Sequence, residues 1–226
     1  MTRIFALVCL TAGCLEMGAV SVSEDDLANG PDGGHDDQLS FFVTSHGNDS
    51  SGGNFGGLVG ADNFCQIFAD GVGSSRTWAA YLSTVPITGV PGTLVHARDR
   101  IGTGPWYNAN GELVAADVDA FHATTLAPSL LVDEGGNPVP NVEHDILTGS
   151  LPDGHAREEF PGNPVAPAPT CLNWTSNQSD SYAWVGHADA DVGIGDIWTS
   201  SHETTCDASG LASTAGSGRL YCFAID

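Results

Sequence analysis

The residues best suited to chemistry lie in one run, His187-Ala188-Asp189-Ala190-Asp191-Val192-Gly193-Ile194-Gly195-Asp196. Alternate aspartates followed by glycine put hard oxygen donors on a turn, as calcium requires. Asp189, Asp191 and Asp196 are the expected ligands of a weak calcium site. The run lacks the third aspartate and distal glutamate of a complete EF-hand loop, and a solvated acidic loop is the plainer alternative. Just upstream, Trp184 offers an indole face for a sugar ring, and His187 a polar contact beside it. Trp174 and Trp198 read as core. Glu143-His144-Asp145 is suggestive as composition and no more.

Catalysis finds little support. There is no His-Glu-x-x-His or Gly-x-Ser-x-Gly, and the eight histidines are scattered. Asn48-Asp49-Ser50-Ser51-Gly52-Gly53 superficially resembles a serine-protease nucleophile loop, but carries one serine too many and reads as a plain loop. A binding protein is expected, not an enzyme.

Charge and cysteines bound the setting. The formal net charge is −22, from 28 acidic and 6 basic residues, which repels nucleic acid and anionic lipid. Residues 1–14 read as a lipoprotein signal peptide. Arg3 precedes an apolar run, and Leu10-Thr11-Ala12-Gly13-Cys14 has a lipobox pattern that makes Cys14 the lipidation site. The alternative is an ordinary signal cut near Ala19. The run is too short to span a bilayer, so membrane contact is expected through the lipid anchor only, in the cell envelope. Residues 15–38 form an acidic linker with little to bury, a disordered composition. One domain follows, residues 39–226. Outside the leader, Cys65, Cys171, Cys206 and Cys222 allow three disulfide connectivities, and spacing does not choose among them. A zinc site of four cysteines is the rival, without any close Cys-x-x-Cys pair.

The elements that must position these residues are short. Residues 39–44 and 77–83 read as strands, the second with Trp78, Ala80 and Leu82 on one side. Residues 61–72 form a helix with Ala61, Phe64, Cys65, Phe68 and Val72 on its inner face. Residues 115–122 form a second helix that Asp117 can cap. Residues 146–149 and 171–176 read as strands, and 177–205 as a long acidic loop anchored by Trp184 and Trp198. The last stretch, 218–226, alternates with apolar residues on both faces, so a central strand is expected. Leu220, Cys222 and Ala224 share one face; Tyr221, Phe223 and Ile225 share the other.

Asn54-Phe55-Gly56-Gly57-Leu58, Gly60-Ala61-Asp62-Asn63-Phe64-Cys65-Gln66, Thr77-Trp78-Ala79-Ala80-Tyr81-Leu82-Ser83, Ala97-Arg98-Asp99-Arg100-Ile101, Thr148-Gly149, Cys171-Leu172-Asn173-Trp174-Thr175-Ser176, Trp198-Thr199 and Arg219-Leu220-Tyr221-Cys222-Phe223 follow in an order that resembles the C-type-lectin-like fold. The nearer likeness is to a bacterial lectin-like family of unknown function found in predicted lipoproteins, with the endostatin domain of collagens behind it. The resemblance implies an α+β domain: two short helices on a small, twisted, mainly antiparallel sheet with long loops. It also implies nested disulfides, Cys65 with Cys222 and Cys171 with Cys206. The calcium-dependent sugar site of such lectins does not carry over. No Glu-Pro-Asn lies between Cys171 and Cys206, and Trp198 is followed by Thr199-Ser200 instead of Asn-Asp. The expected function is an envelope-displayed binding module for a glycan or an extracellular protein. The alternative is a calcium-stabilised structural protein with no specific ligand.

Overall fold

The computed structural model describes residues 38–123, 126–162, 166–189 and 197–226. Cys14, Asp191, Asp196, the leader, and the linker up to residue 37 lie outside the described residues.

In chain order the elements are β1 (Phe41–Val43), α1 (Leu58–Gly71), β2 (Trp78–Ala80), β3 (Trp106–Tyr107), β4 (Leu113–Ala115), α2 (Val118–Ala123), β5 (Asp145–Leu147), α3 (Cys171–Trp174), β6 (Tyr182–His187), β7 (His202–Thr205), α4 (Ala208–Ser213), β8 (Gly216–Arg219) and β9 (Tyr221–Ala224). They form an α+β fold with three small sheets, ordered β1-β9-β2, β3-β4 and β7-β6-β5-β8. Every pairing is antiparallel except β5 with β8.

β9 is the central strand that its alternation predicts. Phe42 and Ala80 stand opposite Cys222. Leu220, Cys222 and Ala224 join one core, with Ala61, Cys65 and Ala69 of α1. Tyr221 and Phe223 join the other, with Phe41, Trp106, Phe121 and Trp198. Two cores therefore lie on the two sides of one three-stranded sheet. Burying each large side chain contributes roughly 1.5 to 3 kcal/mol. Cys65–Cys222 bolts α1 to β9, and Cys171–Cys206 closes the second, nested disulfide. β2 has an outer edge, where backbone donors need acceptors. Side chains of α1 supply them: Asp62 accepts from Ala80 N–H at 2.9 Å and Gln66 from Trp78 N–H at 3.0 Å. In α2, Asp117 caps as expected, accepting from Ala120 N–H at 2.7 Å.

Three expectations need correction. The helices are not two short ones on a single sheet: α1 runs 14 residues, α2 and α4 follow it, and the strands form three sheets. Residues 171–176 are not a strand. Cys171, Leu172, Asn173 and Trp174 take φ of 49°, 51°, 57° and 65° and make a left-handed turn. That hand costs roughly 1–2 kcal/mol per non-glycine residue. Local ties outweigh the cost. Thr170 Oγ1 accepts from Asn173 N–H at 3.2 Å, and Trp174 Nε1–H donates to Ser83 O at 2.8 Å. The Asn173 amide bonds both Val85 N–H, at 3.0 Å, and Val85 O, at 2.8 Å.

Residues 177–205 are not one long loop either. They contain β6 and β7, paired antiparallel from Tyr182↔Thr205 to Val185↔His202. β7 is polar on both faces, His202 and Thr204 on one and Glu203 and Thr205 on the other, which conceals the strand alternation; the sheet to which β6 and β7 belong buries Ala183 and Val185.

Candidate metal centre

The four-stranded sheet gathers histidines that are far apart in sequence. Asp145, at the start of β5, stands opposite His187, at the end of β6. His202 opens β7 opposite Val185, two residues from His187 on β6. Cross-strand partners share a face, and so do residues two apart. Asp145, His187 and His202 therefore converge. His144 arrives from the 3-10 turn Asn141–Glu143, which Arg219 holds by donating from Nε to Glu143 Oε2 at 2.8 Å and from Nη1 to Thr44 O at 2.5 Å.

Asp145 is 1% exposed. Its Oδ1 lies 3.2 Å from His187 Nε2 and 3.4 Å from His144 Nε2; its Oδ2 lies 3.4 Å from His202 Nε2. These contacts are longer than ordinary charge-assisted hydrogen bonds, and among the described residues neither carboxylate oxygen has a partner of good hydrogen-bond geometry. A buried carboxylate without hydrogen bonds is costly unless a cation offsets it.

The imidazole tautomers sharpen the point. A carbonyl only accepts, so a ring nitrogen bonded to one carries the proton. His202 Nδ1–H donates to Glu203 O at 3.0 Å, and His144 Nδ1–H to Asn141 O at 2.6 Å. In the neutral rings, the Nε2 lone pairs then face the Asp145 oxygens. Two arrangements relieve this repulsion: protonated imidazoles, or a metal ion between the donors. Protonation has its signature. Burial alone would raise the Asp145 pKa, but contact with His187 and His202 brings it down to about 2. Contact with Asp145, against desolvation, lifts His202 to about 9.

The distances also suit a metal. Zinc binds imidazole and carboxylate at about 2.0–2.2 Å, so tetrahedral ligand atoms stand about 3.3–3.6 Å apart. The separations between the Asp145 oxygens and the three imidazole nitrogens, 3.2 to 3.4 Å, lie within about a tenth of an ångström of that edge. Asp145, His187 and His202 offer three donor atoms mutually within 4.8 Å, as do His144, His187 and Asp189. Asp189 Oδ2 lies 3.4 Å from His144 Nδ1, on the side away from Asp145. That is where a carboxylate orients a ligating histidine.

Among the residues expected from sequence, His187 and Asp189 lie in this cluster. Asp189 faces an imidazole, a donor that calcium does not favour and zinc does. Trp184 is no open platform. It is 7% exposed, because the Arg157 guanidinium lies 3.9 Å above its ring centroid. His144, Asp145 and His202 were not expected as site residues. Their signal was a histidine at each strand end, visible only once β6 and β7 are recognised as strands.

The chain matches no protein-family model and no curated protein.

Proposed function

We propose that this chain is an extracytoplasmic binding domain of lectin-like architecture that holds a divalent transition-metal ion, zinc or a neighbour. Asp145, His187 and His202 are its ligands, and His144 and Asp189 flank them. One observation carries the reading: a buried carboxylate with no well-formed hydrogen bond among the described residues is faced by three imidazole Nε2 atoms at 3.2 to 3.4 Å. Mixed nitrogen and oxygen donors suit zinc, copper or nickel better than calcium or magnesium. The ion would tie β5, β6 and β7 together at their ends and fix the segment through Asp189. Its role is to organise a binding face, not to catalyse. Two disulfides suit a compartment that keeps them oxidised.

The test is metal content. The full chain, purified without chelator and dialysed against micromolar zinc, should retain about one equivalent by elemental analysis. Cobalt in its place should give the intense visible bands of a four-coordinate site. A chain that keeps no metal above the buffer background refutes the proposal.

A further inference from the structure

The second unexplained group is Arg157. Among the described residues, each other arginine has a carboxylate partner: Arg76 with Asp226 at 3.3 Å, Arg98 with Asp119 at 3.0 Å, Arg100 with Asp62 at 2.7 Å, and Arg219 with Glu143. Arg157 has none, in a chain of formal net charge −22. It lies flat on Trp184, and its Nη2–H donates to Ser200 Oγ at 3.0 Å. Among the described residues its buried Nε–H has no acceptor, and neither has the Trp184 Nε1–H. The guanidinium is half-buried, and this burial lowers the Arg157 pKa, because the cation has lost part of its water. An unmatched buried donor is a cost that a ligand can offset. Beside Arg157 opens a cavity of about 630 Å³, walled by Leu151, Ala156, Phe160 and Pro161. That volume suits a small organic molecule.

We propose that Arg157, seated on Trp184 and braced by Ser200, binds the carboxylate of a small monocarboxylic acid whose apolar body fills this cavity. The guanidinium side edge, Nε with Nη2, is the fork that takes a carboxylate through two parallel hydrogen bonds. Arg157 lines the cavity, and binding requires its guanidinium to slide over the indole far enough to turn the buried Nε edge toward it. Glu158 and Glu159 at the rim repel a second negative charge, so a monoanion is preferred over phosphate or a polyacid. The site is independent of the metal reading. Arg157 and Trp184 belong to the opposite face of β6 from His187.

The experiment uses the full chain with ¹⁵N labelling and phenylacetate as the probe. Phenylacetate should saturably move the Arg157 Nε–H and Trp184 Nε1–H resonances, with Kd below the order of 10 mM. Neutral phenylacetamide and inorganic phosphate should bind at least tenfold more weakly. Arg157→Lys, which keeps the charge but loses the fork, should weaken phenylacetate about tenfold, and Arg157→Gln should abolish saturation. The proposal is overturned if phenylacetate and phenylacetamide bind alike, if phosphate binds as well, or if no saturable shift occurs. The comparison of acid with amide uses wild-type protein, so the test stands even if a variant misfolds.

Discussion

Asp145→Asn should abolish most of the thermal stabilisation that zinc confers. A ligand that binds only the folded state stabilises it by RT ln(1 + [L]/Kd), about 2.7 kcal/mol at a hundredfold excess over Kd. For a domain of 150–250 residues, each kcal/mol moves Tm by about 2–4 °C, so zinc should raise it by about 5–11 °C. Asp145 supplies the only anionic donor among the proposed ligands, and both its oxygens lie within 3.4 Å of imidazole nitrogens. Asparagine keeps the shape and removes the charge. If affinity falls a hundredfold, the same zinc concentration leaves only about 0.4 kcal/mol, or about 1–2 °C. The assay is differential scanning calorimetry of both proteins, first in EDTA and then in zinc. Equal zinc shifts in the two proteins would refute the assignment of Asp145, and no shift in wild type would refute the site.

His187 and His202 both lie in the loop closed by Cys171–Cys206, across 35 positions. Reducing that bond should cost about 4 kcal/mol of stability and weaken zinc at least tenfold, read by chromogenic chelator competition before and after reduction. His122 accepts from Tyr81 OH at 2.7 Å while its Nδ1–H donates to Val118 O at 2.7 Å, so it must stay neutral. Burial, with Arg98 adding to it, lowers its pKa below the ordinary 6.5. Its contribution is therefore complete above about pH 6.5 and is lost as pH falls below that. Urea unfolding between pH 7 and 5 should show a steeper loss for wild type than for His122→Gln; parallel profiles would contradict this. Asn173→Ala forfeits the bonds to Val85 and leaves alanine at φ 57°. It should cost about 2–4 kcal/mol in urea melts; a loss under about 1 kcal/mol would show that the turn is held some other way.

The parts of this fold that periodicity could reveal were legible in the sequence. β9 announces itself because both its faces are apolar and alternate, and α1 because Ala61 and Cys65 are four apart on one face. Cys171–Trp174 was not legible, because side-chain hydrogen bonds and a disulfide impose a backbone hand that no propensity favours. The candidate centre was legible only at His187 and Asp189. Its remaining donors come from β5, from the turn before it and from β7, and their proximity is a property of register. A strand ending in histidine looks like a loop until its partner is known. Asp145 was the hardest to see: a buried charge at a strand start reads locally as surface.

The strand order β1-β9-β2 also bears on how fast this domain can assemble. β1 and β2 come early in the chain, yet the strand each joins in their sheet is β9, which comes last of the named strands. Until β9 arrives, Phe41–Val43 and Trp78–Ala80 have no central strand between them, and the face that Phe41 and Val43 share with Tyr221 and Phe223 stays open. Contacts this distant in sequence place a chain among slow folders, in the millisecond-to-second range. Cys65–Cys222 spans 157 positions and links α1 to that late strand. A chain refolding with this bond intact begins with α1 already held beside that late strand. A reduced chain must make the search by diffusion, with two unpaired strands exposed to aggregation meanwhile.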